Sequence, residues 1–233
     1  MTLREMQMAF DALIQTVSKT MEIEDKPDSY TIVYFLNIAV LKYITDNFLS
    51  KGNVNANIEY LQKRSDILRN LIKRYTNTES VTALVSTEAD GGISISVPDD
   101  YLYYIKSYSY ILNTLRGITN KTWTPNRIID HSELDKITNN ITNIPILRKP
   151  CVVLEENNSL ILYKDRETSI YNNNFVYLKK PLELSLDATA INTPSGYTNI
   201  CELDESTHSD IVKLAVNMFI EEYKYKLTTK SKE

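Results

Sequence analysis

Apolar residues near the start of the chain recur at alternating spacings of three and four positions. Leu3, Met6 and Phe10 begin this stripe, and Leu13 and Val17 continue it. Such spacing places the apolar side chains on one face of an α-helix and the polar ones on the other. The pattern therefore predicts an amphipathic helix that must pack against other elements to be stable in water.

Two further helices are predicted before residue 80. The first follows Asp28 or Ser29, because the short side chain of either residue can cap the exposed amides of a first helical turn. The second runs from about Ala56 to Tyr75, again with its large apolar residues on one side. Short polar connections between the three predicted helices favour an antiparallel bundle.

From Val81 onward the apolar period changes from helical to twofold, which is typical of strands. Asp90-Gly91-Gly92 lies between two alternating segments and predicts a hairpin. A second hairpin is predicted over residues 151–163, and residues 175–178 are predicted to continue the same sheet until Pro181. The Tyr-rich run over residues 101–110 is predicted to be a strand, or a strand passing into a bend.

The apolar signal thins between Thr119 and Asn143, which predicts a long loop. Near the C-terminus helical spacing returns, with Ser206 or Thr207 as the expected cap and Asp210 in the first turn. The predicted fold class is α+β. We expect a helical bundle over residues 1–80, an antiparallel β domain over 81–200 with the loop 119–143, and a C-terminal helix over 201–233 that closes the bundle and ends in a polar tail.

Composition narrows the classes of function. The net charge is -4 and the pI about 5.4, so the chain lacks the basic surplus of a protein built to hold nucleic acid. No apolar run approaches the about 20 residues that cross a bilayer, and no secretory signal is recognisable. Cys151 and Cys201 match no metal or disulfide pattern, which favours two reduced core residues.

Catalytic patterns are missing from the sequence. The chain has two histidines, His131 and His208, neither at a metal-ligand spacing from a second ligand, so we expect no metal, cofactor or catalytic residue. Asp130-His131-Ser132 brings together the residue types of a triad, but adjacent side chains point in different directions. The basic pairs Lys63-Arg64 and Lys73-Arg74 are read as a solvated face, or as a face turned toward acidic protein or passing DNA.

Aromatic residues give the candidates for subunit contact. Tyr is abundant, at 16 residues, and its apolar ring with a polar tip suits protein interfaces. In a strand, alternate residues of the Tyr-rich run face opposite sides, so one row can cover the core and the other a neighbour. Tyr104 and Tyr108 are predicted from this run, and Trp123 is predicted as an anchor within the loop.

Four segments of the chain resemble a known family. They are SYTIVYFLNIAVLKYI, VPDDYLYYIKS, Lys180-Pro181 at a strand end, and ELDESTHSDIVKLAVNMFIEEY. In this order they are similar to ring proteins of crAss-like bacteriophages and, more distantly, to head-to-tail adaptors of short-tailed phages. The resemblance implies a non-enzymatic virion protein, assembled in the bacterial host cytoplasm, that forms a ring, expected to be a dodecamer, at the head-to-tail junction.

The resemblance also implies partners. They are other copies of the chain, the portal protein, other ring and tail proteins, and DNA that passes through the ring without sequence-specific binding; no membrane is expected. The alternative left open by the sequence is a monomeric phage or host adaptor domain that binds a peptide or nucleic acid.

Overall fold

The computed structural model describes residues 1–18, 26–49, 66–76, 92–115, 118–133, 150–155, 159–164, 168–187 and 197–230. The chain divides into two compact units, each taken by itself below. The helical unit comprises Met1–Leu71 and Pro181–Glu233, and the β unit comprises Ile72–Lys180.

Within the described residues, the helical unit contains α1 (Leu3–Ser18), α2 (Ser29–Leu49) and α3 (Glu205–Lys230), with a short 3-10 turn at Arg69–Leu71. The strands of the β unit are β1 (Ile72–Thr76), β2 (Ile93–Ser96), β3 (Tyr101–Leu115), β4 (Ile118–Pro125), β5 (Arg127–Ile128), β6 (Cys151–Glu155), β7 (Ser159–Tyr163) and β8 (Thr168–Lys179). In the helical unit, β9 (Glu183–Leu184) and β10 (Tyr197–Thr198) form a parallel pair. The α+β class is confirmed.

The first helix begins at a capping box that the sequence interpretation missed. The amide of Thr2 donates to Glu5 Oε2 at 2.8 Å, and the amide of Glu5 donates to Thr2 Oγ1 at 3.4 Å. This reciprocal pair satisfies two amides that a helix start leaves without partners. At α2 the amide of Thr31 donates to Asp28 Oδ1 at 2.8 Å, so Asp28 is the cap.

The core of the helical unit includes one buried aromatic residue from each of α1, α2 and α3. Phe10 of α1 and Phe35 of α2 both make edge-on contacts with Phe219 of α3, at centroid distances of 6.0 and 5.5 Å. Edge-on geometry brings the positive rim of one ring to the negative face of the next. The apolar stripes of the three helices therefore meet at Phe219.

The cap of α3 lies earlier than predicted. The amide of Ser206 donates to Asp204 Oδ1 at 3.0 Å, and Thr207 uses its own hydroxyl to donate to the Asp204 carbonyl at 2.7 Å. Asp204 is the cap in place of Ser206 or Thr207, and Glu205 occupies the first turn instead of Asp210. Thr207 is buried, so its hydroxyl needs a partner inside the helical unit and is not free to cap the helix.

The β unit is a sandwich of two four-stranded sheets. The long-strand sheet has the order β1-β8-β3-β4, and the short-strand sheet has the order β2-β7-β6-β5. Apolar residues of both sheets form one buried cluster that includes Ile95, Ile111, Leu162 and Phe175. A second cluster, around Val153, covers the opposite face of the short-strand sheet. Both faces of that sheet are thus apolar.

The predicted third helix is wrong in its last turn. Residues 72–76 form β1, paired antiparallel with β8, although the apolar residues Ile72 and Tyr75 fit helical spacing. One pair of apolar residues three positions apart is too short a pattern to distinguish helical spacing from the twofold spacing of a strand. Pairing with β8 decides the conformation. Residues 51–65, which hold Lys63-Arg64, lie outside the described part of the chain.

One predicted hairpin is confirmed, whereas part of the other lies outside the described residues. β6 and β7 pair antiparallel as predicted, in the register Val152↔Leu162. The predicted continuation of that sheet by residues 175–178 is wrong, because β8 belongs to the long-strand sheet. Neighbours along the chain often pair, but sequence proximity does not fix sheet membership. In the other predicted hairpin, residues 77–91 lie outside the described part, and β2 pairs with β7.

The predicted loop 119–143 begins as a strand. β4 pairs with β3 from Leu115↔Ile118 to Tyr108↔Pro125, so this part of the segment extends the long-strand sheet. The sequence ITNKTWTP contains β-branched and aromatic residues, which suit a partly exposed strand despite low overall hydrophobicity. Residues 134–149 lie outside the described part.

Candidate interaction surfaces

One side of the long-strand sheet carries a row of aromatic residues, which we call the aromatic face. It consists of Tyr108, Tyr110 and Trp123. Cross-strand partners share a side of a sheet, and the pairs Tyr108↔Pro125 and Tyr110↔Trp123 therefore align these rings. The Tyr110 and Trp123 centroids are 5.1 Å apart, and Trp123 is 45% exposed.

Two cations stand on the same side as the aromatic face. Lys106 and Arg74 both pair across strands with Val176, and both side chains are exposed. The Lys106 Nζ lies 5.6 Å from the centroid of the Tyr108 ring, within the range of a cation–π contact. The face thus combines flat apolar rings with positive charge.

The opposite side of the same strands is polar and buried. The Tyr104 hydroxyl and the Asn126 Nδ2 each donate to Ser107 Oγ at 2.7 Å, and Asn173 Nδ2 donates to Ser109 Oγ at 3.1 Å. Among the described residues, the Oδ1 atoms of Asn126 and Asn173 are enclosed and have no hydrogen-bond partner. This row lies toward the interior of the sandwich, next to Phe175.

The structure separates the three residues predicted for subunit contact. Tyr108 and Trp123 belong to the aromatic face, whereas Tyr104 packs against the apolar cluster inside the sandwich. Burial raises the pKa of the Tyr104 hydroxyl, although its bond to Ser107 works in the opposite direction. Tyr104 therefore covers the core row, and Tyr108 belongs to the outward row.

Lys73 is held within the β unit by a partly exposed network. The Lys73 Nζ lies 2.7 Å from Asp100 Oδ2, and the Tyr177 hydroxyl donates to Asp100 Oδ1 at 2.8 Å. Burial would raise the pKa of Asp100, but hydrogen bonds from Lys73 and Tyr177 outweigh it and lower the pKa below 3.8. Burial and the bond to Asp100 raise the pKa of Tyr177. Of the pair Lys73-Arg74, Arg74 lies on the outward side.

A groove on the helical unit forms a second surface, which we call the helical groove. It has a volume of about 360 Å³ and lies between the start of α2 and the end of α3. Its floor contains Phe35 and Phe219, and its rim contains Tyr34 and Tyr223. Tyr34 and Tyr30 are 59% and 70% exposed. The i, i+4 spacing of these two tyrosines was the available sequence signal for one helix face, and it was missed.

The two histidines are engaged with the protein. His208 is buried, where its Nδ1 accepts from the Met1 amine at 2.8 Å and its Nε2 donates to the Leu203 carbonyl at 2.9 Å. Burial lowers the pKa of His208. His131 is exposed, and its Nε2 donates to the Leu154 carbonyl at 3.0 Å. Neither ring faces a nucleophile among the described contacts.

The two cysteines, both in the described part of the chain, also lie in the protein interior. Cys151 and Cys201 are free and buried, and burial raises the pKa of both thiols, which keeps them protonated and unreactive. No cluster of metal-ligating side chains occurs among the residues that the structure describes. None of the described helices has the length and apolar character required to cross a membrane.

The fold and its surfaces define a protein whose described exposed features suit contact with other macromolecules. Comparison with known families identifies the class more closely. A family model described as phage tail ring protein 3/4, of the crAss type, matches residues 1–232. The chain belongs to this family and is a bacteriophage structural ring protein, a component of the tail, which confirms the resemblance. No curated protein matches the chain.

Proposed function

We propose that the chain is a subunit of a ring in the head-to-tail connector, where it links the portal to the tail around the DNA channel. The ring contains about twelve copies, and its other neighbours are further ring proteins and tail proteins. DNA passes through it without sequence-specific binding. Assembly takes place in the cytoplasm of the bacterial host.

The observation that carries this proposal is the extent of the family match. It covers residues 1–232 and therefore includes both the helical unit and the β unit. A ring role thus belongs to the whole chain, and neither unit is an unrelated domain with a function of its own.

The proposal includes the absence of catalytic activity. Its support is the state of the reactive groups that are described. His208 is buried between two partners, His131 is bonded to a backbone carbonyl, and both thiols are buried. A catalytic base or nucleophile needs access to substrate, which His208 and the two thiols lack because they are buried. His131 is exposed, but its Nε2 is bonded to the Leu154 carbonyl and its ring faces no nucleophile among the described contacts. Tyr108 and Trp123 are retained as contact residues for a neighbouring protein.

Cryo-electron microscopy of intact particles tests the position and copy number. We expect a ring of about twelve copies between the portal and the tail, with peptides of the chain detected by mass spectrometry of purified virions. A ring elsewhere in the tail would contradict the connector role but would agree with the family.

The alternative function is a monomeric adaptor that binds a peptide or nucleic acid. Light scattering on the purified chain and density in particles separate the two. A chain that is monomeric at all concentrations and is missing from purified particles would favour the adaptor and contradict the ring.

A further inference from the structure

Charge is distributed unequally between the two units. The helical unit carries 13 Lys and Arg against 18 Asp and Glu, a net charge of -5, whereas the β unit carries 13 against 12, a net charge of +1. Together these values give the -4 of the whole chain. Opposite potentials favour contact between the β unit of one copy and the helical unit of another over contact between like units.

A closed ring requires two different surfaces on each subunit. In such a heterologous contact, one surface of each copy meets the other surface of the next copy. The described residues contain two aromatic surfaces, and one belongs to each unit. The aromatic face presents Trp123 with the cations Arg74 and Lys106, while the helical groove presents Tyr34 in the more acidic unit.

We propose that the aromatic face of one copy docks into the helical groove of the next copy, with Trp123 as the anchor. This inference rests on the proposed ring. A groove of about 360 Å³ with an aromatic floor provides the apolar, desolvated setting in which Trp anchors contribute most to binding. Phe219 contacts both Phe35 and Tyr223, so these three rings support one another. The groove is therefore largely preformed.

Nucleic acid fits the aromatic face less well. The two cations found on this face among the described side chains would neutralise few phosphates, and the β unit as a whole carries a net charge of only +1. Binding to a phosphate backbone gains its affinity from many such contacts. The helical groove suits the rings through its aromatic lining, and it belongs to a unit with a net charge of -5. The charged residues that line the groove itself, Glu222 and Lys226, are paired at 2.6 Å.

Site-directed cross-linking in particles tests the pairing. The full chain carries Pro125→Cys, beside Tyr108 on the aromatic face, together with Tyr30→Cys in the helical groove, so that Trp123 and Tyr34 stay in place; a short bis-maleimide is added to purified particles. We expect a ladder of covalent multimers from the double variant and only monomers from each single variant. The parent chain provides the background, because Cys151 and Cys201 are buried.

Three results of this experiment would overturn the inference. Dimers from Pro125→Cys alone would show that two aromatic faces meet each other. A cross-link to a different protein would show that the face binds another component, and the ring function would stand. Particles that contain the double variant but yield no multimers would exclude the contact.

A second variant decides the question if the double cysteine variant does not enter particles. Trp123→Ser should enter particles at least about tenfold less than the parent in a competition between the two chains. Ile128→Ser is the matched control, since Ile128 is 50% exposed and lies in the short-strand sheet, and it should enter normally. Equal entry of Trp123→Ser would contradict the proposal.

Fluorescence of the purified chain tests whether the aromatic face binds nucleic acid. Trp123 is the only tryptophan, so its emission reports this face alone. Added duplex DNA should leave the emission unchanged at moderate salt. A blue shift or quenching on addition of DNA would assign the face to nucleic acid and overturn the inference. Failure of the ring function itself would instead appear as absence of the parent chain from particles.

Discussion

The helical unit and the β unit bury their polar groups in different ways. In the helical unit, the buried polar residues Thr207 and His208 lie at the start of α3 and bond to backbone carbonyls nearby in sequence. In the β unit, Ser107, Ser109 and Asn173 lie within the sandwich, where Ser109 bonds to Asn173 of the neighbouring strand and Ser107 bonds to Asn126, which follows β4. In the first set, only the second ring nitrogen of His208 has a distant partner, the Met1 amine. In the second set, the bond between Asn173 and Ser109 depends on the correct pairing of β3 with β8.

The two kinds of buried polar contact differ in how strictly they fix the alignment of neighbouring elements. A one-residue slip between β3 and β8 would separate Asn173 from Ser109 and leave buried donors without acceptors. An unsatisfied buried group costs about 1–3 kcal/mol. Apolar contacts between helices tolerate small shifts better, because dispersion and burial have no fixed direction. We therefore infer that polar side chains help to fix the register of the long-strand sheet.

The largest effect is expected in the apolar core of the helical unit. Phe10→Ala removes a fully buried ring that contacts Phe219 and should cost about 3–5 kcal/mol of unfolding free energy. Urea denaturation followed by helical circular dichroism measures the change. Met8→Ala is the control, because Met8 is 64% exposed on the same helix and should shift stability by less than about 0.5 kcal/mol. Equal losses in both variants would contradict the assigned core face.

Mutations in the buried polar row of the β unit, which contains Ser107, Ser109 and Asn173, should cost less unfolding free energy than Phe10→Ala. The effects of these mutations should depend on one another. Asn173→Ala leaves Ser109 without its donor partner in a buried position and should cost about 1–3 kcal/mol. Ser109→Ala in the same background should cost less than Ser109→Ala in the parent chain. A double-mutant cycle monitored by Trp123 emission measures this coupling. Strict additivity would show that the Asn173–Ser109 bond does not stabilise the fold.

Asp100 makes the stability of the β unit depend on pH in the acid range. Its pKa is lowered in the folded state, so its contribution to stability is present above the ordinary value of 3.8 and is lost as the pH falls through the folded value. Asp100→Asn should therefore differ most from the parent near neutral pH and least at about pH 2. Denaturation of both chains across this range measures the difference. A constant difference would mean that the ionised carboxylate is not responsible.

The smallest effect is expected at the start of α2. Asp28→Ala removes an exposed cap that accepts from the Thr31 amide and should lower the unfolding midpoint slightly. Ser29→Ala, at the next position, is the control and should leave the midpoint nearly unchanged. Thermal denaturation of the two variants measures the contrast. A larger loss from Ser29→Ala would identify Ser29 as the cap.

The candidate surfaces were only partly accessible from the sequence. Alternation along the Tyr-rich run pointed to Tyr104 and Tyr108 together, but a register shift between Tyr104 and Lys106 places Tyr104 on the core side. Trp123 was predicted as an anchor in a loop, whereas it lies on β4. The helical groove was missed, since it is formed by residues from the start of α2 and the end of α3, nearly two hundred positions apart. No local pattern indicates that Tyr34 and Tyr223 line the same groove.

The sequence by itself determined the helices with clear periodicity and the α+β class. Leu3, Met6 and Phe10 are buried on α1 because a helical stripe fixes which side chains share a face. The capping box at Thr2 and Glu5 depends only on residues three positions apart, so the sequence contains this signal although the interpretation missed it. Such signals are local, so they survive without knowledge of the rest of the chain.

Tertiary structure alone decided which strands share a sheet and which polar residues are satisfied. Residues 72–76 became β1 because β8 offers backbone partners, against a local pattern that also fitted a helix. Asn37, which interrupts an apolar run, is explained by two bonds to the Leu184 backbone, at 2.8 and 3.0 Å. In each case the partner lies more than about a hundred residues away, and the free energy of a buried hydrogen bond depends on that partner being present.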